Sequence, residues 1–135
     1  VNYTFAIIDI NDIKEHERTK SEGLKKLAAK IKKDGVFNEP VVVDKDHYIL
    51  LDGHHRFNAL KLLGAKKVPV FLVDYFDDDI KVDVWPEAIA NNITKVTKEE
   101  VIKMGLSDEL LPPKTTRHMI KANFEHREVE LEDLM

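Results

Sequence analysis

The sequence predicts a mixed α/β domain over residues 1–85, followed by a smaller C-terminal segment over residues 86–135. Three observations carry this. Short apolar runs (IIDI, VVVD, YILL and VPVFLV) alternate with two stretches of helical periodicity. Glycines stand just past both helical stretches, at Gly35 and Gly64. The 135 residues suffice for one hydrophobic core and not for two full ones.

Each element follows from its residues. Phe5–Ile10 is a short apolar run and reads as a strand, and Asn11-Asp12-Ile13 begins a turn. Ser21 is the expected N-cap of a helix that carries Leu24, Leu27, Ala28 and Ile31 on one face, and Gly35 ends it. Residues 40–43 and 48–51 read as paired strands with the turn at 44–46. Asp52-Gly53 breaks the second of these. Residues 54–63 read as a helix, with Phe57, Leu60, Leu62 and Leu63 apolar. Residues 68–73 form a strand and 81–85 another. Thr97 caps a helix through Met104, with Glu99 and Glu100 in the first turn, where the helix dipole favours them. Pro112-Pro113 prevents a helix from starting at Leu111, so residues 111–118 read as a loop.

Composition narrows the function. Hydrophobic residues make up 43% and charged residues 34%, a globular balance with a charged surface. Lys+Arg 21 against Asp+Glu 25 leaves a net charge of −4, with acids and bases mixed. A polyanion binder needs a basic stripe, so nucleic acid is disfavoured as the main partner. Cys 0 removes disulfides, thiolate nucleophiles and cysteine metal sites together. The apolar runs are too short to span a membrane, and no signal-like segment opens the chain, so a cytoplasmic protein is expected. The absence of Gln beside many Lys and Glu points to a thermophilic source.

The sharpest segment is Asp52-Gly53-His54-His55-Arg56. A strand delivers a carboxylate and a glycine, then two imidazoles and a guanidinium at a helix start. The glycine lets a ligand approach the backbone. The first turn of the helix offers free N–H groups and a positive dipole end, which suit a phosphate. Arg56 can clamp a phosphate through two hydrogen bonds, and Asp52 can hold a metal ion that bridges phosphate oxygens. The plainer reading, a capping Asp beside surface histidines, leaves four converging polar groups unexplained. Other signals are weak. The six histidines show no standard zinc spacing. Neither a P-loop nor a G-x-G-x-x-G is present. Asp77-Asp78-Asp79 reads as a surface turn.

Asp-Gly-His-His-Arg, with Asn-Ala-Leu and Leu-Gly-Ala behind it and Val-Pro-Val after, resembles the ParB/sulfiredoxin-like fold. Sulfiredoxin chemistry is excluded, because His54 stands where that branch has its cysteine. A ParB partition protein would need a helix-turn-helix after the nucleotide domain, and no recognition helix is legible after Trp85. The free L-serine kinase branch is the nearest. Its corner reads Asp-Gly-x-His-Arg, and it shares two further features. Glu15-His16-Glu17 resembles its His-Glu pair, and residues 112–118 resemble its Pro-Pro-Lys-(Ser/Thr)-Thr-Arg-His loop.

The resemblance implies a phosphotransferase that moves a phosphoryl group from a nucleotide, ADP favoured and ATP next, to the hydroxyl of free L-serine. Glu17 would be the acid/base. Asp52 would be catalytic and the candidate ligand of Mg²⁺. Gly53, His54, His55 and Arg56 would hold the donor phosphates. Trp85, Thr115, Thr116, Arg117 and His118 would bind the substrate. The known kinases are much longer than this chain between the tryptophan and the Pro-Pro-Lys loop. The alternative is a ParB-like nucleotide-binding regulatory or DNA-associated module without kinase activity, which needs neither Glu17 nor the loop. A nuclease would need a carboxylate cage beside a basic groove, and neither is legible.

Overall fold

The computed structural model describes residues 1–107 and 109–135. A four-stranded mixed sheet forms its centre. Its strands are β1 (Tyr3–Asp9), β3 (Val41–Asp44), β4 (Leu50–Asp52) and β5 (Lys67–Val73). Their spatial order is β1-β5-β3-β4. β1 runs antiparallel to β5, β5 parallel to β3, and β3 antiparallel to β4.

The unbroken apolar runs have a structural cause: the sheet is covered on both faces. Val41 and Val43 of β3 point to one side, and Val42 points to the other. The first side is closed by α1 (Leu24–Asp34) and α2 (His54–Leu62), with Ala28, Ile31, Phe57 and Leu60 buried against it. The second side holds Val42, Ile49, Leu51, Val73 and Tyr75, closed by Ile80, Val96 and Val101. Val101 belongs to α4 (Lys98–Leu106), where Thr97 and Glu100 form a reciprocal capping box, as the sequence indicates.

The turn after β3 is pinned from within. The buried carboxylate of Asp44 accepts hydrogen bonds from the His47 backbone N–H at 3.0 Å and from His47 Nδ1 at 2.9 Å.

Three features differ from the sequence expectation. α1 starts at Leu24 from Gly23, a left-handed residue without a side-chain cap, so Ser21 is not the N-cap. The Ser21 carbonyl instead accepts from the Leu24 N–H at 3.1 Å. A short helix, α3 (Pro86–Ala90), follows Trp85, with proline in its first turn, where a missing N–H costs nothing. Residues 111–118 are not loop throughout: β7 (Thr116–Ile120) pairs antiparallel with β6 (Ile80–Val84). The chain then returns to the first side of the sheet. β8 (Val129–Glu130) pairs with β2 (Val36–Phe37), and Leu134 is fully buried in that core. Among the described residues, no helix is long and apolar enough to cross a membrane.

Candidate active site

The corner forms as its residues dictate. β4 ends at Asp52, Gly53 turns the chain at φ +100, and α2 begins at His54. A Cβ on Gly53 would lie 2.6 Å from Val41 Cγ1 and 2.9 Å from Arg56 Nη2, so only glycine fits. The first N–H groups of α2 therefore open onto a cleft of about 330 Å³. Residues 17–20 and 51–56 line it on one side, and Trp85 and residues of the 113–118 segment on the other.

Three strands of contact bring these distant segments together. Leu111 pairs with the chain around Glu17: its N–H donates to the His16 carbonyl at 3.0 Å, and its carbonyl accepts from Arg18 at 2.8 Å. The Trp85 N–H donates to the Thr115 carbonyl at 3.2 Å. Asn58 of α2 places Nδ2 2.7 Å from Glu15 Oε1 and 2.9 Å from Thr19 Oγ1, tying the helix to the 15–19 segment.

Glu17 sits on the cleft floor and is almost fully buried. Its Oε1 accepts from the Thr116 N–H at 2.9 Å and from the Thr116 hydroxyl at 2.5 Å. Burial raises its pKa, and the Thr116 hydrogen bonds oppose that rise. The Thr116 hydroxyl also meets His16 Nε2 at 2.7 Å.

Behind Glu17 lies a group of imidazoles. The His16 ring is 5.3 Å from that of His54 and 5.6 Å from that of His118, centroid to centroid. Burial is the main cause that lowers each of the three to about 3, and their mutual repulsion adds to it. All three are neutral at physiological pH. His118 Nε2 meets the hydroxyl of the fully buried Tyr75 at 2.7 Å.

The expected phosphate residues are brought together, with differences in detail. His54 faces inward, and its Nδ1 is buried without a hydrogen-bond partner. His55 Nε2 donates to the Lys20 carbonyl at 2.9 Å. Arg56 donates through Nε to the Glu39 carbonyl at 3.0 Å, which uses one edge of the guanidinium, and Nη2 lies over Gly53. The carboxylate of Asp52 is exposed on the cleft wall.

Among the residues expected to bind substrate, two threonines differ: the Thr116 hydroxyl is engaged by Glu17, and Thr115 is turned away. Thr115 does not line the cleft. Its side chain is buried and its hydroxyl donates to the Pro112 carbonyl at 2.6 Å, so it shapes the loop. Trp85 is held by two cations, with Lys114 Nζ 5.2 Å and Arg117 Cζ 5.1 Å from the ring centroid. The sequence reading missed Tyr75, gave Asn58 no role beyond its place in Asn-Ala-Leu, and gave His16 none beyond its place beside Glu17.

Two donor sets can be tested against Mg²⁺. Asp52 offers a hard oxygen at the cleft wall and fits Mg²⁺. His16, Glu17 and His54 have donor atoms within 4.8 Å of one another. Nε2 of His16 and Oε1 of Glu17 are already engaged by Thr116, and imidazole is a poor ligand for Mg²⁺. The trio is therefore a hydrogen-bonded group and not the magnesium site.

The chain is similar to known proteins. An ATP-dependent L-serine kinase of Staphylothermus marinus is 40% identical over 108 residues, which are 77% of this chain and 42% of that protein. The ADP-dependent L-serine kinase SerK of Thermococcus kodakarensis is 36% identical over 110 residues, 78% of this chain and 44% of that protein. The chain thus spans less than half the length of these curated relatives. A free serine kinase solved in complex with AMP shares the fold, with a TM-score of 0.83 at 24% identity over 100% of this chain and 94% of that one. The ParB N-terminal domain pattern matches residues 2–91, from β1 through the phosphate corner to α3. On that match the chain belongs to the ParB N-terminal domain family.

Proposed function

We propose that this chain is a nucleotide-dependent free L-serine kinase, producing O-phospho-L-serine. The observation that carries the reading is a buried carboxylate facing a helix N-terminus across one cleft: Glu17 on the floor, and the open N–H groups of α2 on the wall. A ParB-type switch needs the second feature and not the first. Relatives at 36–40% identity named as L-serine kinases support the same reading.

Phosphoryl transfer is mostly a matter of positioning and charge, with little covalent work for the protein. The N–H groups of His54, His55 and Arg56 would hold the donor's terminal phosphate, and Arg56 would add charge from Nη2. Asp52 would hold Mg²⁺, which when bound neutralises charge on the phosphate oxygens. Trp85 would wall the acceptor pocket, and Arg117 beside it would take the serine carboxylate. As the serine oxygen attacks phosphorus, a new O–P bond forms and the bond to the leaving phosphate breaks. The hydroxyl proton passes to Glu17. Its raised pKa makes the carboxylate a stronger base than an exposed one. The donor is ADP or ATP, since relatives named for each are similar to this chain, ATP-dependent at 40% identity and ADP-dependent at 36%.

The test is incubation of the chain with Mg²⁺, L-serine and ADP or ATP in separate tubes, read by mass spectrometry. Phosphoserine, with AMP from ADP or ADP from ATP, is the expected product. Bound nucleotide with no phosphoserine in either tube would leave the ParB-type switch as the better reading.

A further inference from the structure

Thr116 was expected to face the substrate, and its hydroxyl faces the base instead. It stands 2.5 Å from Glu17 Oε1 and 2.7 Å from His16 Nε2. A hydroxyl owns one hydrogen. When Glu17 is ionised, that hydrogen goes to the carboxylate, and the oxygen must then accept from His16. The chain therefore reads His16 Nε2–H to Thr116 Oγ, and Thr116 Oγ–H to Glu17 Oε1. With Glu17 ionised, His16 carries a proton on Nε2.

We propose that Thr116 and His16 are positioning residues for Glu17: they saturate Oε1 and leave Oε2 as the oxygen that takes the acceptor's proton. The inference rests on the reading of Glu17 as the base. Oε1 already holds two hydrogen bonds from Thr116, one from the backbone and one from the hydroxyl. Both bonds favour the ionised carboxylate, against the burial that disfavours it. Thr116 opens β7, so the base is completed only when the C-terminal segment is docked on the 16–18 segment. The backbone N–H groups of Lys114 and Thr115 also favour the charged carboxylate; the titratable and charged groups around it are His16, His54 and His118 from the imidazole group, Lys114 and Arg117 from the loop, and Asp52 and Arg56 on the far wall.

Thr116→Val removes the hydroxyl and keeps the shape and the backbone N–H. Thr116→Ser restores the hydroxyl. In the kinase assay, Thr116→Val is expected to lower kcat on the order of tenfold to a hundredfold, as a misaimed base does. The acid limb of its pH profile should move up by about one unit, because one bond to the charged form is gone. The nucleotide KM should hold, and Thr116→Ser should recover kcat to within about threefold of wild type. A readout independent of turnover is the ¹³C-NMR titration of the Glu17 carboxyl in the full, nucleotide-free chain. Its midpoint should rise in Thr116→Val and return in Thr116→Ser. An unchanged midpoint in Thr116→Val overturns the proposal, with or without kinase activity. A chain that makes no phosphoserine but shows the shifted midpoint would retain the positioning and remove the kinase reading.

Discussion

Thr116 and Glu17 lie 99 residues apart in the chain and meet at 2.5 Å at the bottom of the cleft. The contact joins the two halves of the sequence at the carboxylate proposed as the base. The surroundings of Glu17 are thus built by tertiary structure, while the proposed phosphate corner is built locally by the five consecutive residues 52–56.

Replacing Glu17 by Gln separates chemistry from binding. Turnover should fall about a hundred- to ten-thousand-fold, the range for loss of a general base. Nucleotide affinity by calorimetry should stay within about twofold of wild type, since Glu17 touches no phosphate group in this scheme. The same variant should be more stable at neutral pH. A carboxyl whose folded pKa is raised above the unfolded value favours folding while protonated, and that advantage is lost as pH rises through the folded pKa. Gln carries no charge to bury. A variant with full turnover, or with a lower melting temperature at neutral pH, would contradict the role and the burial argument respectively.

Gly53→Ala tests the corner. The added methyl would sit 2.6 Å from Val41 Cγ1, at a φ of +100 that side chains rarely adopt. Strain of roughly 1–3 kcal/mol is expected, seen as a lower denaturant midpoint. Nucleotide binding should weaken with it, because Gly53 aims the N–H groups of α2. Wild-type stability in this variant would mean that the turn is not constrained as described.

Arg56→Ala and Trp85→Ala should divide the two substrates between them. The first removes the guanidinium over Gly53, and nucleotide affinity should fall about tenfold. The second removes the wall held by Lys114 and Arg117, and the serine KM should rise with the nucleotide KM near normal. A reversed pattern in steady-state kinetics would show that the cleft is divided differently.

Mild acid should destabilise the fold. His16, His54 and His118 are lowered to about 3, whereas unfolded histidines take up protons near 6.5. Between those values the unfolded chain binds more protons, so stability is full above about 6.5 and is lost as pH falls toward 3. Melting temperature against pH should decline over that window, and decline less steeply in a variant in which His54, one of the three, is replaced by Asn. A flat profile in the native chain would mean that the three rings are not buried neutral.

What was legible in the sequence was local. Asp52-Gly53 marks a strand end and a left-handed turn, so the corner that opens α2 follows from neighbouring residues. The doubly buried strands show as unbroken valine and leucine runs, and Thr97 with Glu100 shows as a capping box. What was hidden depended on pairing across long separations. β2 and β8 are two residues each and sit far apart in the chain, too short for any period to register. Ser21 had the chemistry of a cap, but the backbone turns at Gly23 and gives its place to a residue with no side chain. Thr115 and Thr116 are the same residue type, and only the strand geometry of β7 decides that one shapes the loop while the other reaches Glu17.

The central claim is tested most directly by one assay: the chain, with Mg²⁺ and L-serine, is given ADP, ATP or CTP in separate tubes, and native and Glu17→Gln proteins are compared. The account predicts phosphoserine from the native chain with ADP or ATP and a near-complete loss with Glu17→Gln. Phosphoserine at equal rates from both proteins would contradict the role of Glu17. Nucleotide bound in every tube with no phosphoserine in any would contradict the kinase itself.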